Sequence, residues 1–158
     1  MSADSTMPEP GSVAPDFSGP TQDGSVVSMA DYAGKKLAIY FYPKDNTPGC
    51  TKQACNLRDN FSILSEKGVS IVGVSGDAVE KHAGFADKYQ LTFPLIADTE
   101  KAMMTSYGTY GKKNLYGKIF MGIKRTTFLV DEEGIIVKVI KKPKTTDHAA
   151  EILKGFNL

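Results

Sequence analysis

LAIYFY at residues 37–42, followed by PKDNTPGCTKQACNLRD at residues 43–59, decides how the chain is read. The first segment is apolar and aromatic enough for a buried strand. In the second, Pro43, Asn46, Pro48 and Gly49 end that strand and open a loop. Beyond the loop, Ala54, Leu57, Phe61 and Leu64 recur at helical spacing, and Gly68 supplies a C-terminal stop. Strand, loop, helix: Cys50 falls in the first turn of the helix. Unpaired N–H groups and the positive end of the helix dipole favour a thiolate there. Thr47 suits an N-cap, and its hydroxyl can also turn toward the sulfur or a ligand beside it.

Cys55 sits on the same expected helix. Five residues of helix rise about 7.5 Å and rotate roughly 140° beyond a full turn. A disulfide needs Cα atoms closer than about 7 Å with converging Cβ vectors. The two sulfurs therefore cannot join while the helix is intact. They are either unrelated thiols or a redox couple that works by unwinding a helix.

Working outward, Val69–Ser75 reads as a second buried strand and residues 78–90 as an amphipathic helix. Residues 93–97 form a short strand, which Pro94 assigns to an edge or a strand start. Residues 99–107 look helical, whereas 109–123 have no clean period and are expected to be irregular. Strands at 125–130 and 135–140 flank Asp131–Gly134, a strong hairpin signal, and 147–156 closes the chain as a helix. Near the N-terminus, Ala14–Phe17 and Ser25–Ser28, joined across Gly24, suit a small hairpin or two short strands, and Ser28 or Asp31 suits the cap of a short turn. Residues 1–12 are expected to be flexible, and 13–158 to form one domain. This order gives an α/β fold with a mixed sheet. Alternation alone does not choose between such a fold and a flavodoxin-like one.

Composition narrows the function. With 19 basic against 18 acidic residues, the chain carries no electrostatic footprint for nucleic acid or an anionic membrane. No apolar run approaches the ~20 residues of a spanning helix, and the first residues lack the pattern of a secretory signal. Two cysteines in 158 residues suit catalysis or a buried thiol better than a disulfide framework, and a cytoplasmic protein is the expectation. His82 and His148 are expected to be half-exposed helix residues with no catalytic role. Neither has the spacing of a metal ligand.

Pro43, Thr47 and Cys50 make the pattern P-x-x-x-T-x-x-C, which resembles the peroxiredoxins. The fuller string FYPKDNTPGCTKQAC is similar to the peroxiredoxin Q branch, also called bacterioferritin comigratory protein. The likeness continues through GVSGD (73–77), FPLIAD (93–98), YGKIFMGIKRTTFLVDEEG (116–134) and KPKTTDHAAEIL (142–153). It implies a thioredoxin-like fold and a thiol peroxidase acting on hydrogen peroxide and organic hydroperoxides, with no cofactor or metal. Cys50 is then the peroxidatic cysteine and Cys55 the resolving one, paired within the chain. Pro43 walls the pocket, Thr47 contacts the peroxide, and Arg125 supplies positive charge beside the sulfur. Thioredoxin, or in some members glutaredoxin, is the implied reductant, and the family contains monomers and dimers.

Plainer readings stand beside these. Cys50 alone suits a buried structural thiol, Thr47 a simple N-cap, Pro43 a strand end, and Arg125 or Arg58 a solvated ion pair. Two rival functions are a general disulfide reductase and a copper-handling protein. The four residues between the cysteines oppose the first, which favours C-x-x-C, and their failure to converge opposes the second.

Overall fold

The computed structural model describes residues 7–158. Residues 1–6 of the expected flexible N-terminus lie outside them. Within the rest, the Gly11 N–H donates to the Ile136 carbonyl at 2.7 Å and Val13 bridges Ile135.

The chain runs β1 (Ser18–Pro20), β2 (Val26–Ser28), a 3-10 turn (Met29–Tyr32), β3 (Lys36–Phe41), α1 (Pro48–Asp59) and α2 (Phe61–Glu66). It continues through β4 (Val69–Ser75), α3 (Val79–Tyr89), β5 (Leu95–Ala97), α4 (Ala102–Ser106), β6 (Tyr110–Leu115) and β7 (Lys118–Ile123). Last come β8 (Thr126–Val130), β9 (Ile136–Ile140) and α5 (His148–Gly155). Five strands form one mixed sheet in the order β5-β4-β3-β8-β9, with β3, β4 and β5 parallel and β8 and β9 antiparallel to their neighbours.

Strand β3 sits at the centre, and both its faces are covered. Ala38 and Tyr40 pack with Leu57, Leu64, Phe85 and Ile152 from the helices α1, α2, α3 and α5. Leu37, Ile39 and Phe41 pack on the opposite face with Phe128, Met103, Met104 and Phe17. Burial on both faces is why 37–42 reads as a continuous apolar run rather than an alternating one. Gly73 of β4 leaves room for this packing: a Cβ there would lie 2.9 Å from the Tyr40 ring and 2.8 Å from Leu95.

Three local expectations change. The segment 109–123 is a regular antiparallel hairpin, β6–β7, turning at Tyr116 and Gly117, both at positive φ. Its strands escape a period-2 reading because β7 is largely exposed, so nothing forces alternation. The long helix expected up to Gly68 breaks at Asn60, whose Nδ2 donates back to the Asn56 carbonyl at 2.9 Å, an alternative to helix continuation that asparagine readily takes. The N-terminal hairpin exists, but its first strand is Ser18–Pro20 rather than Ala14–Phe17, since Ala14 and Phe17 are spent in the core. Asp31 accepts from the Ser28 N–H at 2.8 Å and fixes the turn that follows. Among the described residues no helix is long and apolar enough to cross a membrane.

Candidate active site

Tyr42 carries the chain out of β3, the loop 43–47 reverses it, and α1 starts at Pro48 with its φ already suited to a first helical position. Asn46 makes the bend with φ 65°. Cys50 lands in the first turn, where helix amides have no intrahelical partner. Its residue is 1% exposed and packs with Tyr40, Tyr42, Ala54 and Leu57. Thr47 occupies the N-cap position, yet its side chain makes no capping bond. The hydroxyl donates instead to the Lys44 carbonyl at 2.8 Å, tightening the loop and leaving its oxygen lone pairs uncommitted. Pro43 is half-buried at the end of the β3 run.

The antiparallel register of β3 and β8 brings the other half of the site. Phe41 pairs with Thr126, so Arg125 emerges beside the loop that follows β3. Its Nη2 donates to Cys50 Sγ at 3.2 Å and its Nη1 to Gln53 Oε1 at 2.7 Å. The guanidinium is thus fixed by two residues one helical turn apart. Gly49 admits it: a Cβ at that position would lie 3.3 Å from Nη2. Lys113 of β6 also belongs here. Its Nζ donates to the Ile123 carbonyl at 2.8 Å, and its pKa is held below the ordinary lysine value, first by burial and then by the Arg125 charge. Buried without a hydrogen-bond partner among the described residues are Gln53 Nε2 and the Tyr40 hydroxyl.

A polar network supports the loop from beneath. Asp45 accepts from the Tyr42 hydroxyl at 2.6 Å and meets His82 Nδ1 at 2.6 Å, while His82 Nε2 meets the Ile96 carbonyl at 3.0 Å. The Asp45 N–H donates to Asp77, which also accepts from Ser75 and pairs with Lys81. Burial opposes the charged form of Asp77, but these donors prevail and its pKa lies below the usual carboxylate range. His82 is therefore fully buried at 0% exposure, not half-exposed, because two polar partners compensate its burial. His148 is likewise 0% exposed, between the Thr127 hydroxyl at 2.7 Å and Glu151 at 2.9 Å. Asp45, Asp77 and His82 offer potential ligand atoms within 4.8 Å of one another. Those atoms are already engaged in the bonds just described, and the cluster reads as a loop support.

Cys55 is a free thiol of intermediate burial on the same helix as Cys50. The structure brings Cys50, Thr47, Arg125 and Pro43 to one end of the sheet, but leaves Cys55 where regular helix geometry holds the two sulfurs apart. Arg58 turns away from the site, to the Tyr89 carbonyl at 2.7 Å and to Asp59. Gln53, Asp45, His82 and Lys113 were not legible as site residues. Only Gln53 left a signal, a polar side chain three residues after Cys50 on the buried side of a helix.

Comparison with known proteins identifies the family. The AhpC/TSA family model matches residues 10–139. The peroxiredoxin Bcp of Bacillus subtilis is 43% identical over 146 residues, covering 92% of this chain and 93% of its own. That of Escherichia coli is 43% identical over 143 residues, covering 90% and 92%. Among solved structures, the Xanthomonas campestris bacterioferritin comigratory protein, studied for its alkyl peroxide reduction activity, superposes with a TM-score of 0.85. It is 33% identical, with 98% of each chain covered. A thioredoxin-like sheet, a thiol at the head of α1 with an arginine against it, and these likenesses together place the chain in the AhpC/TSA family, within its peroxiredoxin Q (Bcp) branch.

Proposed function

We propose that the protein is a thiol peroxidase in which Cys50 attacks a hydroperoxide and Cys55 resolves the product. The observation that carries the reading is the Arg125 guanidinium at 3.2 Å from Cys50 Sγ, anchored on its other side by Gln53. A permanent charge at that distance stays in place as charge moves onto the peroxide.

The Cys50 thiolate attacks one oxygen in line with the O–O bond. A sulfur–oxygen bond forms, the O–O bond breaks, and the leaving oxygen departs as water or alcohol after taking a proton. Cys50 is oxidised to a sulfenic acid and the peroxide is reduced. Thr47, with its proton on the Lys44 carbonyl, uses its lone pairs to accept from the peroxide O–H. The first-turn amides and Arg125 receive the charge that develops on the leaving oxygen. Pro43 shields the reacting atoms from water. Positioning of the peroxide carries much of the acceleration. Cys55 then condenses with the sulfenic acid, water leaves, and an external dithiol of the thioredoxin type (glutaredoxin being the alternative) reopens the disulfide.

The test is to mix fully reduced protein with one equivalent of hydrogen peroxide, count thiols and map the product by mass. The expected result is loss of two thiols and 2 Da, with Cys50 and Cys55 recovered in one cross-linked peptide. Cys50→Ser should consume no peroxide. Retained turnover in that variant would sink the assignment.

A further inference from the structure

Helix α5 begins without help from its own N-cap residue: the Asp147 side chain makes no capping bond. The acceptor comes from another helix. Asn56 of α1 accepts from the Ala149 N–H through Oδ1 at 2.8 Å and donates through Nδ2 to the Thr146 carbonyl at 3.2 Å. Both ends of one side-chain amide are spent on the entry to α5. Ala149 is 1% exposed, so its N–H has little access to water as a substitute. Asn56 is also the residue directly after Cys55.

The two halves of α1 are therefore held differently. The C-terminal half is pinned to α5 by Asn56, to the end of α3 by the Arg58 bond to the Tyr89 carbonyl, and to the core by Ala54 and Leu57, both fully buried. The N-terminal half enters through Pro48 and Gly49, and its side-chain ties run from Arg125 to Cys50 Sγ and Gln53. One of those ties is to the atom that reacts. End turns also open most readily.

We propose that Asn56 is the positioning residue for resolution: it holds Cys55 in place while the first turn of α1 opens and carries Cys50 to it. This rests on Cys55 being the resolving thiol. In the step itself the Cys55 sulfur attacks the Cys50 sulfenic sulfur, the S–S bond forms and the S–O bond breaks. The hydroxyl leaves as water with the proton of the Cys55 thiol, so no further oxidant is required. A nucleophile held in one place reacts faster than one that wanders.

Hydrogen exchange on wild-type protein, reduced and then oxidised with one equivalent of hydrogen peroxide, tests this after mass mapping of the oxidised form. Exchange should accelerate over 51–57, whose N–H groups donate to carbonyls of residues 47–53, while Ala149, Arg58 and Asp59 keep their protection. Faster exchange at Ala149 in a verified Cys50–Cys55 disulfide form would overturn the proposal, because Asn56 would then have let go. Rapid-mixing kinetics give a second measure. Asn56→Ala should convert sulfenic acid to disulfide roughly fivefold more slowly, the size of a lost helix cap. It should leave the first reaction with peroxide unchanged and accumulate more sulfinic acid in excess peroxide. Asn56→Asp, which retains an acceptor for the Ala149 N–H, should recover most of the rate. Conversion as fast as wild type in Asn56→Ala also overturns the role. If mapping finds no Cys50–Cys55 bond at all, the resolving role of Cys55 fails first, and that of Asn56 with it.

Discussion

Arg125 touches both the Cys50 sulfur and Gln53, so its removal tests chemistry apart from folding. Arg125→Met should lower the rate of Cys50 with hydrogen peroxide by ~10- to 1000-fold, the range for one electrostatic stabiliser. Stopped-flow rates corrected for folded fraction measure this; an unchanged rate would make the residue structural. Gly49→Ala tests the same contact from the other side. The new Cβ would meet Nη2 at 3.3 Å, and the long arginine can yield only by moving off its partners. The rate should fall, by less than in Arg125→Met, while the denaturation midpoint holds or rises, since alanine favours a helix over glycine. Cys50 and Thr47 were legible from sequence because a loop and a helix start are local features. Arg125 was legible only through resemblance, for its meeting with Cys50 depends on strand register. The capping role of Thr47 fails because its hydroxyl is turned to the Lys44 carbonyl and makes no bond to the first helix amides.

At the scale of the element, α1 and α2 form two helices where apolar spacing gave one. Leu57 and Leu64 do share a buried face, which is why the spacing was right. The break at Asn60 comes from a side chain bonding its own backbone, and hydrophobic periodicity carries no trace of that. The β6–β7 hairpin escaped for a related reason, because exposed Ile119, Phe120 and Met121 obey no inward face. Both cysteines lie on α1, and removing one should stop the cycle at a defined point. Cys55→Ser should react once with hydrogen peroxide and leave a sulfenic acid at Cys50 that dimedone traps. It should not turn over with a thioredoxin system. Equal thioredoxin-driven rates in variant and wild type would show that Cys55 does not resolve.

For the whole molecule, the sequence's alternation of strands and helices was enough to name a mixed α/β sheet, and the central run 37–42 to place its middle strand. Buried polar joints were not legible. His82 and His148 each lie on a helix whose pattern predicts half exposure, and each is buried because distant residues satisfy it. His148 gives that joint a measurable consequence. Burial holds its pKa below the ordinary 6.5, despite the opposing pull of Glu151. The unfolded chain then binds a proton that the folded protein refuses, so stability should decline as pH falls below about 6.5 and level off beneath the folded pKa. Urea midpoints from pH 7.5 to 5 measure it, and His148→Gln should show a shallower decline. An identical slope in that variant would assign the acid sensitivity elsewhere.

Cys50 and Arg125 stand 75 residues apart in the chain and meet only through the pairing of β3 with β8. During synthesis the thiol emerges long before its guanidinium partner, and contacts of such long range form late. A newly made chain thus carries Cys50 without its guanidinium partner and gains that contact when its middle closes. In refolding, the return of fast peroxide consumption is a clock for that closure, recording when β8 docks rather than when the helices form.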